Sequence, residues 1–118
     1  MASWRVPRRE GLVRVAAGAR RVRLDLNSPE FQDVFFRLET QELKQVVASL
    51  RRLRELDWSG VYRHTGFRWE EIQHLKAPNG AGVYSLRLSQ KVRALAFREG
   101  DLLRFISLHP DHDSAYRR

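Results

Sequence analysis

The sequence has no cysteine and one methionine among its 118 residues. Without cysteine there is no disulfide framework, no thiolate nucleophile and no structural zinc centre of the cysteine type. A metal ion would have to be held by histidine and carboxylate groups. Long apolar runs are also missing. No stretch approaches the ~20 residues that span a bilayer, and the first residues lack the apolar segment of a secretory signal. A soluble, cytoplasmic protein with no membrane partner is expected. The four prolines and seven glycines are scattered rather than gathered into a linker, and no internal repeat divides the chain. At this length and 42% hydrophobic content, one domain with one modest core is expected.

Acidic residues are in deficit. Twenty-two Lys and Arg face 14 Asp and Glu, for a net charge of +8. Such an excess favours polyanionic partners, because Lys and Arg neutralise phosphates and release condensed counterions. The charge is uneven: residues 1–23 are net +6, 24–76 net −1 and 77–118 net +3. The middle reads as a structural framework with the cations at its two ends. Residues 1–21 read as a basic N-terminal arm or an added strand, and 22–118 as the folded domain.

What is present has a clear period. Val22-Arg23-Leu24-Asp25-Leu26 alternates as a strand does. Ser28-Pro29-Glu30 is a helix start, and Phe31, Val34, Phe35 and Leu38 then make one apolar face. Thr40 is placed to cap a second helix, whose stripe is Leu43, Val46, Val47, Leu50 and Leu53. The segment from Asp57 to Asn79 reads as irregular, with a short turn of helix through Trp69–Ile72. Beyond it the period becomes two, in runs 84–88, 92–98 and 102–108. The short links Ser89–Lys91 and Glu99–Asp101 can join only antiparallel neighbours. The expected fold is therefore α+β, in the order β-α-α-β-β-β. It is an antiparallel sheet with both helices packed on one face.

Three groups of residues suggest chemistry. Arg87 should project from the sheet away from the helices, and Arg93 lies on the next strand. With a suitable register their planar guanidiniums would converge, in a geometry suited to phosphate oxygens. Cross-strand ion pairs to Glu99 or Asp101 are the structural alternative. The third group is the closing segment His109-Pro110-Asp111-His112-Asp113-Ser114-Ala115-Tyr116, with two imidazoles, two carboxylates and a phenol in eight residues. Histidine gives and takes protons near neutral pH. A helix cap at Asp111 or Asp113, or a metal site of His109, Asp111, His112 and Asp113, are the other readings of this segment.

The run from Leu75-Lys76 through Tyr84-Ser-Leu-Arg-Leu-Ser, Val92-Arg93-Ala-Leu-Ala-Phe and Leu102–Leu108 to Tyr116 resembles the C-terminal half of RelE/ParE-superfamily toxins. In that superfamily a Tyr-x-x-basic-Leu strand precedes a Tyr-Arg-hydrophobic strand and a tail that closes on an aromatic. The order of elements is similar across 22–118. The resemblance implies a toxin of a type II toxin–antitoxin system, an endoribonuclease acting on mRNA at the ribosome and held inactive by a cognate antitoxin. Arg93 then matches the arginine of the second meander strand, Arg87 the basic residue of the first, and Tyr116 the terminal aromatic. His109 or His112 matches the histidine that some relatives place before that aromatic. Lys76, Lys91 and Glu71 become RNA-binding candidates. Two departures stand out: Val92 replaces the usual Tyr, and Asp111 and Asp113 stand where relatives often carry Arg or Lys.

The expected reaction is attack of an RNA 2′-hydroxyl on the adjacent phosphate, which calls for no metal and no cofactor. Arg87 and Arg93 would stabilise charge, His112 or His109 would move a proton, and Tyr116 would stack on a base. A gyrase-directed inhibitor on the same fold, or a non-catalytic nucleic-acid or partner-binding module, are the alternatives.

Overall fold

A computed structural model describes residues 20–110. Along the chain come β1 (Arg23–Asp25), α1 (Pro29–Phe35), α2 (Thr40–Arg54), α3 (Trp58–Arg63) and a 3-10 turn (Thr65–Phe67). Four strands follow: β2 (Glu70–Lys76), β3 (Gly82–Arg87), β4 (Arg93–Glu99) and β5 (Leu102–His109). They form one five-stranded sheet in the order β1-β5-β4-β3-β2. The links in the second half are too short for anything but antiparallel pairing, and β2 through β5 form a meander. At the β4–β5 link Gly100 adopts φ +63°, a conformation that costs other residues a steric clash. β1 runs parallel to β5, a pairing made possible by the helical crossover between them.

The helices form for reasons visible in the sequence. Ser28 Oγ accepts from the Phe31 N–H at 3.3 Å and donates to the Ile106 carbonyl at 2.7 Å, so one side chain both caps α1 and ties it to β5. Phe31 is fully buried, with its ring 5.2 Å from that of Phe105. In α2 the buried stripe is Val46, Leu50 and Leu53, and Ser49 Oγ donates to the Leu88 carbonyl at 2.6 Å. Both helices join Leu86, Leu88, Ala94, Ala96, Leu103 and Leu108 in one apolar cluster, which places them on one face of the sheet. Arg51, Arg52 and Arg54 end α2, where cations suit the negative end of the helix dipole.

Three expectations need correction. The sheet is mixed rather than wholly antiparallel, because β1 pairs parallel to β5. Thr40 is the first helical residue rather than the cap; Glu39 occupies the cap position and makes no side-chain bond there. The segment expected to be irregular holds α3, the 3-10 turn and an edge strand, so the order is β-α-α-α-β-β-β-β. α3 is capped by Asp57, whose Oδ1 accepts from the Gly60 N–H at 2.8 Å. Trp69 begins no helix but stacks on Tyr84 with centroids 4.5 Å apart. β2 hides its period because its register shifts between Glu71 and Lys76 and only Ile72 is buried.

Residues 1–19 of the basic arm lie outside the described residues. The arm's last two residues are attached: Arg20 pairs with Asp101 at 3.1 Å, and Arg21 bridges to Asp57.

Candidate functional site

The strand register assembles the site. Arg87 on β3 is opposite Arg93 on β4, and Arg93 is opposite His109 on β5. Directly opposed residues of antiparallel strands put their side chains on the same face. Arg87, Arg93 and His109 therefore form a row across three strand ends, on the face without helices. The neighbouring row is Ser85, Leu95 and Ser107. Ser107 Oγ lies 2.9 Å from His109 Nε2, which joins the two rows.

This end of the sheet is closely packed. Arg93, His109 and Ser107 are 9%, 6% and 3% exposed, and Arg93 Nη1 has no hydrogen-bond partner among the described residues. Buried polar groups are nearly always partnered, and leaving a charged donor unsatisfied costs more than ~1–3 kcal/mol. An anion at this point would complete the arginine. Arg87 is half-buried; its Nε donates to the Ser89 carbonyl at 3.4 Å and Nη2 to Gln90 Oε1 at 3.2 Å. Neither arginine is paired with Glu99 or Asp101. Those carboxylates go to Arg104 and Arg20. Arg104 is held still more firmly in its charged form, first by the Glu99 hydrogen bond and then by the attraction of Glu99 and Asp25, the latter 3.0 Å away.

Beside the rows lies an apolar groove. Between Phe105, opposite Ala96, and Ser107, opposite Leu95, β5 accommodates one extra residue, Ile106. The groove has a volume of about 450 Å3, and its walls include Leu75, Val83, Leu95, Phe97 and Ile106, with Lys76 and Ser107 at its margin.

The other residues named from the sequence are dispersed. Lys76 pairs with Gly82, five residues along β3 from Arg87 and so ~17 Å away, and it meets the site only through the groove. Glu71 pairs with Tyr84 on the helix-bearing face and does not join the row. Lys91 is exposed in the β3–β4 turn and lines a separate cavity with Arg37, Glu39, Glu42 and Pro110. His109, expected just beyond the last strand, is instead its final residue, because pairing with Arg93 extends β5 to that point. Asp111, His112, Asp113 and Tyr116 lie outside the described residues. Among the described residues no three His, Asp or Glu side chains are grouped to hold a metal ion.

Sequence reasoning missed Ser107. The signal was available, since 107 and 109 share a face once both lie on one strand.

No protein-family model and no curated protein matches this chain. Among solved structures there is a likeness to a copper-bound mutant toxin from Helicobacter pylori, at 19% identity with a TM-score of 0.45. It covers 79% of this chain and 97% of that one.

Proposed function

We propose that this protein is a toxin of the toxin–antitoxin kind, a metal-independent endoribonuclease that cleaves mRNA at the ribosome through 2′-hydroxyl attack. The observation that supports this best is the row Arg87–Arg93–His109, with a buried arginine whose Nη1 lacks a partner among the described residues. A phosphate oxygen supplies that partner. As the 2′-oxygen attacks, negative charge grows on the phosphorane, and fixed guanidiniums stabilise it more than they stabilise the ground state. The attacking hydroxyl loses its proton to a base, and an acid protonates the departing 5′-oxygen. The products are a 2′,3′-cyclic phosphate and a 5′-hydroxyl. His109 is buried against Ser107, which suits it to positioning the strand end, and His112 takes the proton-transfer role. Tyr116 stacks on a splayed base.

The groove beside the site supports a protein partner. An antitoxin with an amphipathic segment would lay apolar side chains against Leu75, Leu95 and Phe97 and carboxylates against the arginines. Tightly controlled expression followed by mapping of new 5′ ends on cellular mRNA tests the function. New ends within coding sequences are expected. Intact mRNA with a DNA-damage response would instead identify a gyrase-directed inhibitor.

A further inference from the structure

We propose that Arg52, His64 and Arg87 form a second phosphate subsite, which holds the RNA backbone one step away from the reacting phosphate. The proposal rests on the RNA-cleaving reading above. These side chains, with Ser49, Ser89 and Gln90, line a cavity of about 180 Å3 at the end of β3, and no carboxylate is among the lining residues. Arg87 joins the two places. Its backbone stands opposite Arg93, while its side chain forms part of the cavity wall. Two of its nitrogens are committed to Ser89 and Gln90, and the five-donor fork leaves N–H groups over. Arg52 sits in the last turn of α2, exposed and with no ion pair among the described residues. The hydroxyls are already engaged: Ser49 donates to the Leu88 carbonyl, and Ser89 bonds Glu42 and the Val92 N–H. The nitrogen groups are thus left to bind an anion.

His64 is held in the donor form that an anion requires. Its Nδ1 accepts from the Gly66 N–H at 3.2 Å, so the proton of the neutral ring is on Nε2. The ring packs on Phe67 with centroids 4.4 Å apart. A Cβ at position 66 would lie 3.0 Å from His64 Cε1 and 3.2 Å from Nδ1, so a larger residue there would push the imidazole aside by a few tenths of an ångström. The Gly66 N–H bond to Nδ1 also caps the 3-10 turn Thr65–Phe67, so the turn that forms this wall of the cavity also fixes the ring. Two guanidiniums and an imidazole N–H around one carboxylate-free cavity match a phosphodiester.

The test uses the full chain and a single-stranded 2′-O-methyl oligoribonucleotide, which binds but lacks the attacking hydroxyl. Affinity is followed by fluorescence anisotropy over a range of salt concentrations, and melting curves verify folding. Each phosphate contact on a single strand contributes a slope of about 0.7 in log K against log salt. Arg52→Gln should flatten the slope by about that amount and weaken low-salt binding roughly five- to tenfold. His64→Gln and Gly66→Ala should each weaken binding. Arg51→Gln, an equal loss of charge one residue away, should leave the slope in place. If Arg52→Gln changes nothing, or Arg51→Gln changes as much, the subsite is wrong. Wild-type chain that cleaves mRNA with an Arg52-independent slope overturns the subsite alone. Arg52-dependent binding without any cleavage upholds the subsite and removes the nuclease reading. No binding at all removes both.

Discussion

The two faces of the sheet obey different rules. On the helix-bearing face, Leu86, Leu88, Ala94, Ala96, Leu103, Phe105 and Leu108 are buried with Phe31, Val46 and Leu50 in one cluster. On the open face the same strands place Val83 and Phe97 at one end and Arg87, Arg93 and His109 at the other, with Ser85, Leu95 and Ser107 in the row next to the arginines. Alternation lets one strand serve both faces, since β4 uses Ala94 and Ala96 for the core and Arg93, Leu95 and Phe97 for the open side. Under the proposed nuclease reading, the arginine end of the open face is where function would draw on stability. Burial on the first face contributes folding energy, whereas a buried and incompletely satisfied arginine on the second costs it. Such a cost at one point of a small sheet is understandable when a ligand offsets it.

Substitutions on each face sharpen that contrast. Leu86→Ala, in the centre of the helix-bearing face, should lower unfolding stability by ~2–5 kcal/mol in chemical denaturation, with activity lost through unfolding. Arg93→Met should do the opposite. Cleavage should drop by ~10²–10³, the effect of deleting a donor to a developing oxyanion, while the melting temperature holds or rises. Should Arg93→Met unfold the protein, the arginine is a structural element and the division of labour fails. His112→Ala and Tyr116→Ala should likewise reduce cleavage, the former by ~10²–10⁴, without changing the melting temperature by more than a few degrees. Ser28→Ala removes the cap of α1 and its tie to Ile106 and should cost ~1 kcal/mol by thermal denaturation. Arg37→Ala breaks a 2.6 Å pair with Asp33, but side-chain exposures of 69% and 66% limit the effect to under ~0.5 kcal/mol.

The legible parts of the fold were those with an uninterrupted period. The α1 stripe from Phe31, the α2 stripe through Val46, Leu50 and Leu53, and the three C-terminal strands all follow their expected spacing. β2 was hidden because a bulged edge strand buries one residue and leaves the rest polar. α3 was hidden because six residues are too few to show a helical period, although Asp57 three residues before Gly60 marks its cap. For the candidate site, the sequence gives residue types and the strand on which each sits, but not register. That Arg93 stands opposite both Arg87 and His109 depends on turn geometry and on the bulge at Ile106, which shifts every later pairing by one. Lys91 and Glu71 were candidates through the family resemblance, and the fold places both away from the Arg87–Arg93–His109 row.

The central claim is that the open face supports 2′-hydroxyl attack on RNA. Its most direct test places one 2′-deoxynucleotide at the mapped scissile position of an mRNA fragment, presented alone and threaded through ribosomes. The account predicts that the all-ribose fragment is cut to a 2′,3′-cyclic phosphate and a 5′-hydroxyl, that the deoxy fragment stays whole, and that chelators make no difference. Equal cleavage of both fragments, or products ending in 5′-phosphate, would contradict it.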